Sequence, residues 1–135
     1  MPKLDPGQIE SVRTRQGENE HLRFREADAT ELPFGKDEFD MVLSFDVLHH
    51  MPRWDKAIAE MDRMLKPEGV GVFHDLAFSR LAARTLEGLF KNYGTFYAVG
   101  EFTHQLQRNN LEIVYAQTPK SVMIAKHFTM VAQKG

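Results

Sequence analysis

The 135-residue chain carries 42% hydrophobic residues, enough for one substantial core, and its 17 Lys+Arg against 19 Asp+Glu leave a formal charge of −2. So small a net charge draws a protein neither onto a nucleic-acid backbone nor onto an anionic membrane, and without cysteine there is no disulfide, thiolate nucleophile or Cys-type zinc site. No run approaches the roughly 18 apolar residues of a membrane span, no basic-then-apolar leader opens the sequence, and a soluble cytoplasmic protein is expected.

No repeat, low-complexity tract or Gly/Ser linker divides the chain, so a single domain over 1–135 is expected. In chain order, "LDPGQIESVRTRQGENE" reads as a helix. Asp5 caps its first turn, Pro6 is tolerated there, Ile9, Val12 and Arg13 share a face, and Gly17 with the polar run after it ends the helix. In "HLRFREAD", Leu22 and Phe24 alternate with charged neighbours, which predicts a half-buried strand; "ATELPFGKDEF" is a loop. "FDMVLSF", Phe39 to Phe45, is a nearly continuous apolar run and predicts a strand covered on both faces. Trp54, Ala57, Ile58, Met61, Met64 and Leu65 recur at helical spacing, with Lys56, Glu60, Asp62 and Arg63 on other faces, until Pro67 and Gly69 stop the helix.

"VGVFHDL", Val70 to Leu76, is a second short buried strand, so Phe39 to Leu76 forms a strand–helix–strand unit with a right-handed parallel crossover. Phe78, Leu81, Ala82, Leu86, Leu89 and Phe90 mark another amphipathic helix, and a looser aromatic stretch, "KNYGTFYAVG", follows. A helix then covers Glu101 to Asn110, and "LEIVYAQTPKSVMIAKHFTMVAQ" reads as two antiparallel strands turning near Pro119 and Lys120. The pattern is α/β, with parallel strands and a C-terminal antiparallel hairpin. In such sheets ligands gather at the carboxyl ends of the parallel strands, here Ser44 to Met51 and His74 to Ala77.

The first of these ends, "VLSFDVLHHMP", looks like a histidine site. Neighbouring histidines on one strand or turn project differently, however, and His49 with His50 would have to recruit His74, Asp75 or His104 to hold a metal, so no metal is expected. One histidine packing on the helix that begins near Trp54, with the other bordering a ligand pocket, is the plainer reading. A general-base role for His50 or His74 stays open.

"READATELPFGKDEFDMVLSFDVLHHMPRWDKAIAEMDRMLKPEGVGVFHDL", Arg25 to Leu76, carries an ordered series: an "AD-A-x-x-LPF" loop, an "FD-hydrophobic-V-x-S" strand, a "V-L-H-H" exit, a helix and "LKP-x-G". It resembles the central part of the class I S-adenosylmethionine-dependent methyltransferases, specifically the type 11 group that includes the ubiquinone/menaquinone C-methyltransferases, with weaker similarity to the C-terminus. The resemblance implies a Rossmann-like methyltransferase fold, S-adenosylmethionine as cofactor and methyl transfer to a small-molecule acceptor.

It also implies site residues. Asp28 and Ala29 match the positions that hold the adenine, an acid for its amino group and a small residue beside the ring, although Asp28 could equally cap its own turn. Ser44, Phe45 and Asp46 match the strand end under the methionine part. Ser44 would present a hydroxyl and main-chain groups, and Asp46 would attract the ammonium, sit near the acceptor or cap the following turn; His49 borders the same part. No catalytic residue is assigned, because methyl transfer to a good nucleophile needs mostly in-line positioning. Phe78, Tyr93, Phe96 and Tyr97 are candidates for an apolar acceptor pocket or for core.

Relatives of this type begin with a strand, a G-x-G-x-G loop and a second strand ending in a ribose-binding acid. Here the acid's position falls on Lys3, so the resemblance implies an N-terminally truncated domain. In the family's sheet order, 3-2-1-4-5-7-6, the strand at Phe39 to Phe45 then has an exposed apolar edge, and a homodimer through that edge is expected. The alternative to an enzyme is a non-catalytic methyltransferase-like remnant serving as a dimerisation or interaction module.

Overall fold

A computed structural model describes residues 6–90, 95–120 and 123–135. Helix α1, Pro6–Gln16, ends where Gly17 takes a left-handed φ of +69° and donates its N–H to the Arg13 carbonyl at 2.8 Å, the helix-ending role glycine fills without steric cost. Four strands follow: β1 (Phe39–Phe45), β2 (Leu65–Phe78), β3 (Leu111–Gln117) and β4 (Ala125–Lys134). They form one sheet in the order β1-β2-β4-β3, with β1 and β2 parallel and β4 antiparallel to both its neighbours. This is the 4-5-7-6 portion of the order that the resemblance implied. The fold is α/β, Rossmann-like, with the C-terminal hairpin in place.

Between β1 and β2 lie a 3₁₀ turn, Leu48–His50, and helix α2, Trp54–Met64; helices α3, Arg80–Leu89, and α4, Val99–Arg108, separate β2 from β3. The α2 helix ends at Met64, three residues ahead of Pro67, which cannot continue it and disfavours helical backbone at Lys66. Lys66–Gly69 then bulges, since Phe39 pairs with Leu65 but Met41 with Val70, which makes β2 longer than Val70 to Leu76. Helix α3 starts at Arg80 rather than Phe78, because the Ser79 hydroxyl accepts the Ala82 N–H at 3.1 Å and caps it there.

The core lies between one face of the sheet and helices α2 and α4. Strand alternation sends Phe73, Asp75 and Ala77 of β2 and Phe128, Met130 and Ala132 of β4 to that face. Phe102 of α4 stacks on Trp54 at 5.8 Å and meets Phe73 and Phe128 edge-on at 5.6 and 4.8 Å, preferred ring geometries. Phe78 and Tyr97 are core here, Phe96 packs edge-on against Phe78 at 5.0 Å, and Tyr93 lies outside the described residues.

Two expectations are corrected. The strand over His21–Ala27 does not form: the region has only isolated bridges, Asn19 with Leu22 and Asp28 with Glu31. A strand needs a neighbour for its amides. Here local side chains serve instead, the Glu18 carboxylate accepting the Phe24 N–H at 2.9 Å and Arg13 donating to the Phe24 carbonyl at 2.7 Å. Nor is β1 covered on both faces. Met41, Leu43 and Phe45 are 55%, 55% and 58% exposed, on a face shared with Val70, Val72 and His74. No helix among the described residues is long and apolar enough to cross a membrane.

One clamp fixes the loop before β1. Arg63 grips Glu60 at 2.7 and 2.8 Å and donates to the carbonyls of Phe34 and Leu32, while Glu60 accepts the Leu32 N–H at 2.9 Å. The Arg63 guanidinium, then the Leu32 amide, hold the Glu60 carboxyl below the usual carboxylate range against its partial burial. Ionised Glu60 therefore stabilises the fold above the ordinary carboxylate value, and this contribution fades as pH falls through the lowered one. Glu60→Ala should cost about 1 kcal/mol, accelerate hydrogen exchange at the Leu32 amide, and flatten the stability profile in that acidic window.

Candidate functional site

The site is built at the carboxyl ends of β1 and β2. Beyond Phe45, the Asp46 N–H continues the ladder by donating to the His74 carbonyl at 2.8 Å, and the chain turns through a left-handed φ of +48° at Asp46. Aspartate is among the few residues that tolerate this conformation. The turn aims its carboxylate across the sheet, where Oδ1 meets His127 Nε2 at 3.0 Å. The His74 and His127 rings stack in parallel at 5.1 Å, His74 Nδ1 lies 2.8 Å from the Thr129 hydroxyl, and the Phe45 ring stands 6.2 Å from His74.

The 3₁₀ turn then brings His49 over the end of β2. Its Nδ1 lies 2.5 Å from Oδ1 of Asp75, a side chain only 1% exposed, whose other oxygen accepts the Leu48 N–H at 2.9 Å. The Leu76 N–H also donates to Oδ1, at 2.7 Å. The turn is held from behind by Thr95, which donates its N–H to the His49 carbonyl at 2.8 Å and its hydroxyl to the Met51 carbonyl at 2.6 Å. An imidazole that donates Nδ1–H to a buried carboxylate has its lone pair at Nε2, and the His49 side chain keeps 16% of its surface open. Such a pair can take a proton. Beside it the Tyr97 hydroxyl is enclosed near Asp75, and burial first, then the Asp75 charge, pushes its pKa up.

Of the residues singled out from the sequence, the structure brings Phe45, Asp46 and His49 together. Ser44 lies on the opposite, helix-facing side of β1, 3% exposed with no partner for its hydroxyl, so a ligand above the sheet meets its main chain. Asp28 closes its own turn, Oδ1 accepting the Thr30 N–H and hydroxyl at 2.8 and 2.7 Å, bonds that hold its carboxyl below the usual range. Ala29 is half-buried against the core. His50 lies with its ring 3.9 Å from that of His49. His127 was not among the candidates, and Asp75 entered only as one of the residues that a metal site at His49 and His50 would have to recruit. The one signal for Asp75 was an acid in the inward register of an apolar strand, between Phe73 and Ala77.

Residues 3–73 match the family model described as a methyltransferase domain. The ubiquinone/menaquinone biosynthesis C-methyltransferase UbiE of Rickettsia massiliae is 37% identical over 79 residues, 58% of this chain and 29% of that protein. The chain spans well under a third of the curated relatives it matches, between 23% and 29% of the first of them. Among solved structures, the geranyl diphosphate C-methyltransferase of Streptomyces coelicolor A3(2), in complex with Mg2+, geranyl diphosphate and S-adenosyl-L-homocysteine, superposes with a TM-score of 0.75 at 12% identity over 96% of this chain and 60% of that one. The [4+2]-cyclase SpnF superposes with a TM-score of 0.78 at 15% identity, over 96% of this chain and 63% of that one. Likenesses this remote in sequence establish the fold alone.

Proposed function

The chain belongs to the methyltransferase domain family, and on that premise we propose that it transfers a methyl group from S-adenosylmethionine to a small acceptor, with His49, held by Asp75, receiving the acceptor's proton. The observation that carries this reading is the 2.5 Å contact between His49 Nδ1 and a fully buried carboxylate. A buried carboxylate is costly unless it is paired and hydrogen-bonded; here two amides and His49 supply the bonds, and the pairing presets the imidazole as a base at the carboxyl edge of the sheet, where α/β folds bind their ligands.

The residues present suit the cofactor. The Phe45 ring and the main chain of Ser44, at the β1 end, would hold the methionine part, and Asp28, ionised and surface-exposed, would serve the adenine amino group. Ala29 leaves room for the ring. Asp46, turned toward β4, serves the acceptor side. When bound, S-adenosylmethionine supplies a methyl group on a positively charged sulfur. The protein's part is to align the acceptor, exclude competing geometries and remove one proton. A cysteine-free sequence is in keeping with a cytoplasmic setting, and we propose that two copies associate through the outer edge of β1.

Calorimetric titration with S-adenosylhomocysteine tests the reading. Binding in the micromolar range is expected, weakened about tenfold in Asp28→Ala, a change of about 1.4 kcal/mol. No heat at millimolar ligand would sink the enzyme reading and leave a methyltransferase-like interaction module.

A further inference from the structure

We propose that Asp46, His74 and His127 form a divalent-cation site, two imidazoles and one carboxylate, on the open face of the sheet. One nitrogen from each histidine and one Asp46 oxygen all lie within 4.8 Å of one another. Ligands bonded to zinc at about 2.0–2.2 Å stand only somewhat closer together than this, so side-chain rotation closes the set.

Three strands fix the positions. Asp46 follows the Phe45–His74 pair, and His127 faces Leu76 two residues along from His74. His74 also has the support expected of a metal ligand: Nδ1–H donating to the Thr129 hydroxyl at 2.8 Å would leave the Nε2 lone pair to bind. The left-handed backbone at Asp46 is held by its N–H bond to the His74 carbonyl, and its carboxylate already reaches His127 Nε2 at 3.0 Å.

The neighbouring trio of Asp46, His49 and Asp75 meets the same distance test. Its Asp75 oxygens, however, are already occupied by His49 and by the Leu48 and Leu76 amides. The first trio has no comparable internal commitment beyond the Asp46–His127 contact. Two neutral imidazoles and one carboxylate favour zinc, nickel or cobalt over magnesium or calcium. Asp46 and His127 are half-exposed, so a bound ion would keep positions open for water or for oxygen atoms of a small molecule.

The experiment titrates cation-free protein with Zn2+ and, separately, Mg2+, and follows heat and thermal unfolding. The expected result is micromolar Zn2+ binding with an upward shift of the unfolding midpoint, and no response to Mg2+. His127→Ala, at an exposed position, and Asp46→Asn should each weaken Zn2+ at least about tenfold. Asparagine tolerates the same left-handed backbone, so the second variant changes the ligand and spares the fold. His104→Ala, an exposed histidine on α4, should bind as the parent does. Absence of saturable Zn2+ binding, or equal binding in His127→Ala, would overturn the site.

Discussion

Asp75→Asn is expected to lower methyl transfer by about a hundredfold or more while leaving the protein folded, whereas Asp75→Ala should cost about 2–4 kcal/mol of stability as well. The difference follows from what the carboxylate does. Its two oxygens accept from the Leu48 and Leu76 amides and from His49 Nδ1, with no solvent to replace any of them. Alanine leaves two buried amides and an imidazole without a partner. Asparagine keeps one oxygen for Leu48 and turns its amide toward His49, whose Nδ1 must then accept, shifting the ring proton to Nε2; the Leu76 N–H, which shares Oδ1 with His49, loses its acceptor, a cost of about 1–3 kcal/mol. The base is silenced by its tautomer, and the variant keeps the Leu48 bond that alanine loses. Nitrogen chemical shifts of the His49 ring separate this from a merely structural effect. The proton is then on Nε2 in the variant and on Nδ1 in the parent. Unchanged turnover in Asp75→Asn would show that alignment alone drives the reaction.

The same residue shows where sequence reading stops. β1 was legible to the residue, because a bounded seven-residue segment with five apolar residues, Phe39, Met41, Val42, Leu43 and Phe45, is too short for a stable helix and suits a strand. Its burial was not, because apolar composition says that a face wants cover and cannot say that cover is present; Leu43 looks the same on paper whether it faces a helix or water. The strand expected at His21–Ala27 failed for a related reason, since alternation describes a surface and pairing needs a neighbour. At the site, the exit from β1 was readable, and Asp46 and His49 follow from it. Asp75 was named from the sequence only as a residue that a metal would have to recruit; its role as acceptor for His49 and two amides was not legible, because an acid inside an apolar strand has no local signature of what it holds. His127 was hidden more deeply. It joins His74 and Asp46 only through the β2–β4 register, a pairing between segments far apart in the chain that no local pattern encodes.

The open edge leads to the second large effect. In solution the chain is expected to run at twice the 15.5 kDa of one copy, and Leu43→Lys is expected to return it to a folded single copy, its unfolding midpoint lowered only by what association contributed. Strand β1 ends the sheet, and no strand among the described residues pairs with its outer side, so it offers unpaired amides and carbonyls beside Met41, Leu43 and Phe45, all more than half exposed. Such an edge is a template for another strand. A two-fold axis makes the partner an identical β1 running antiparallel, giving one continuous sheet across both copies. Leu43 lies near the middle of the seven-residue strand, so lysines would come close to each other across the axis and repel, while within one chain the side chain already faces water and its loss costs the core nothing. Light scattering at tens of micromolar decides the matter, and a parent that scatters as a single 15.5 kDa copy removes the edge from consideration. Antiparallel pairing also sets the two sites apart. Each Asp46 follows the carboxyl end of its own β1, so the two lie at opposite ends of the paired strands, separated by about 3.4 Å for each residue of the pairing. Each copy must then complete its site from its own chain, and Leu43→Lys should leave ligand binding per copy unchanged.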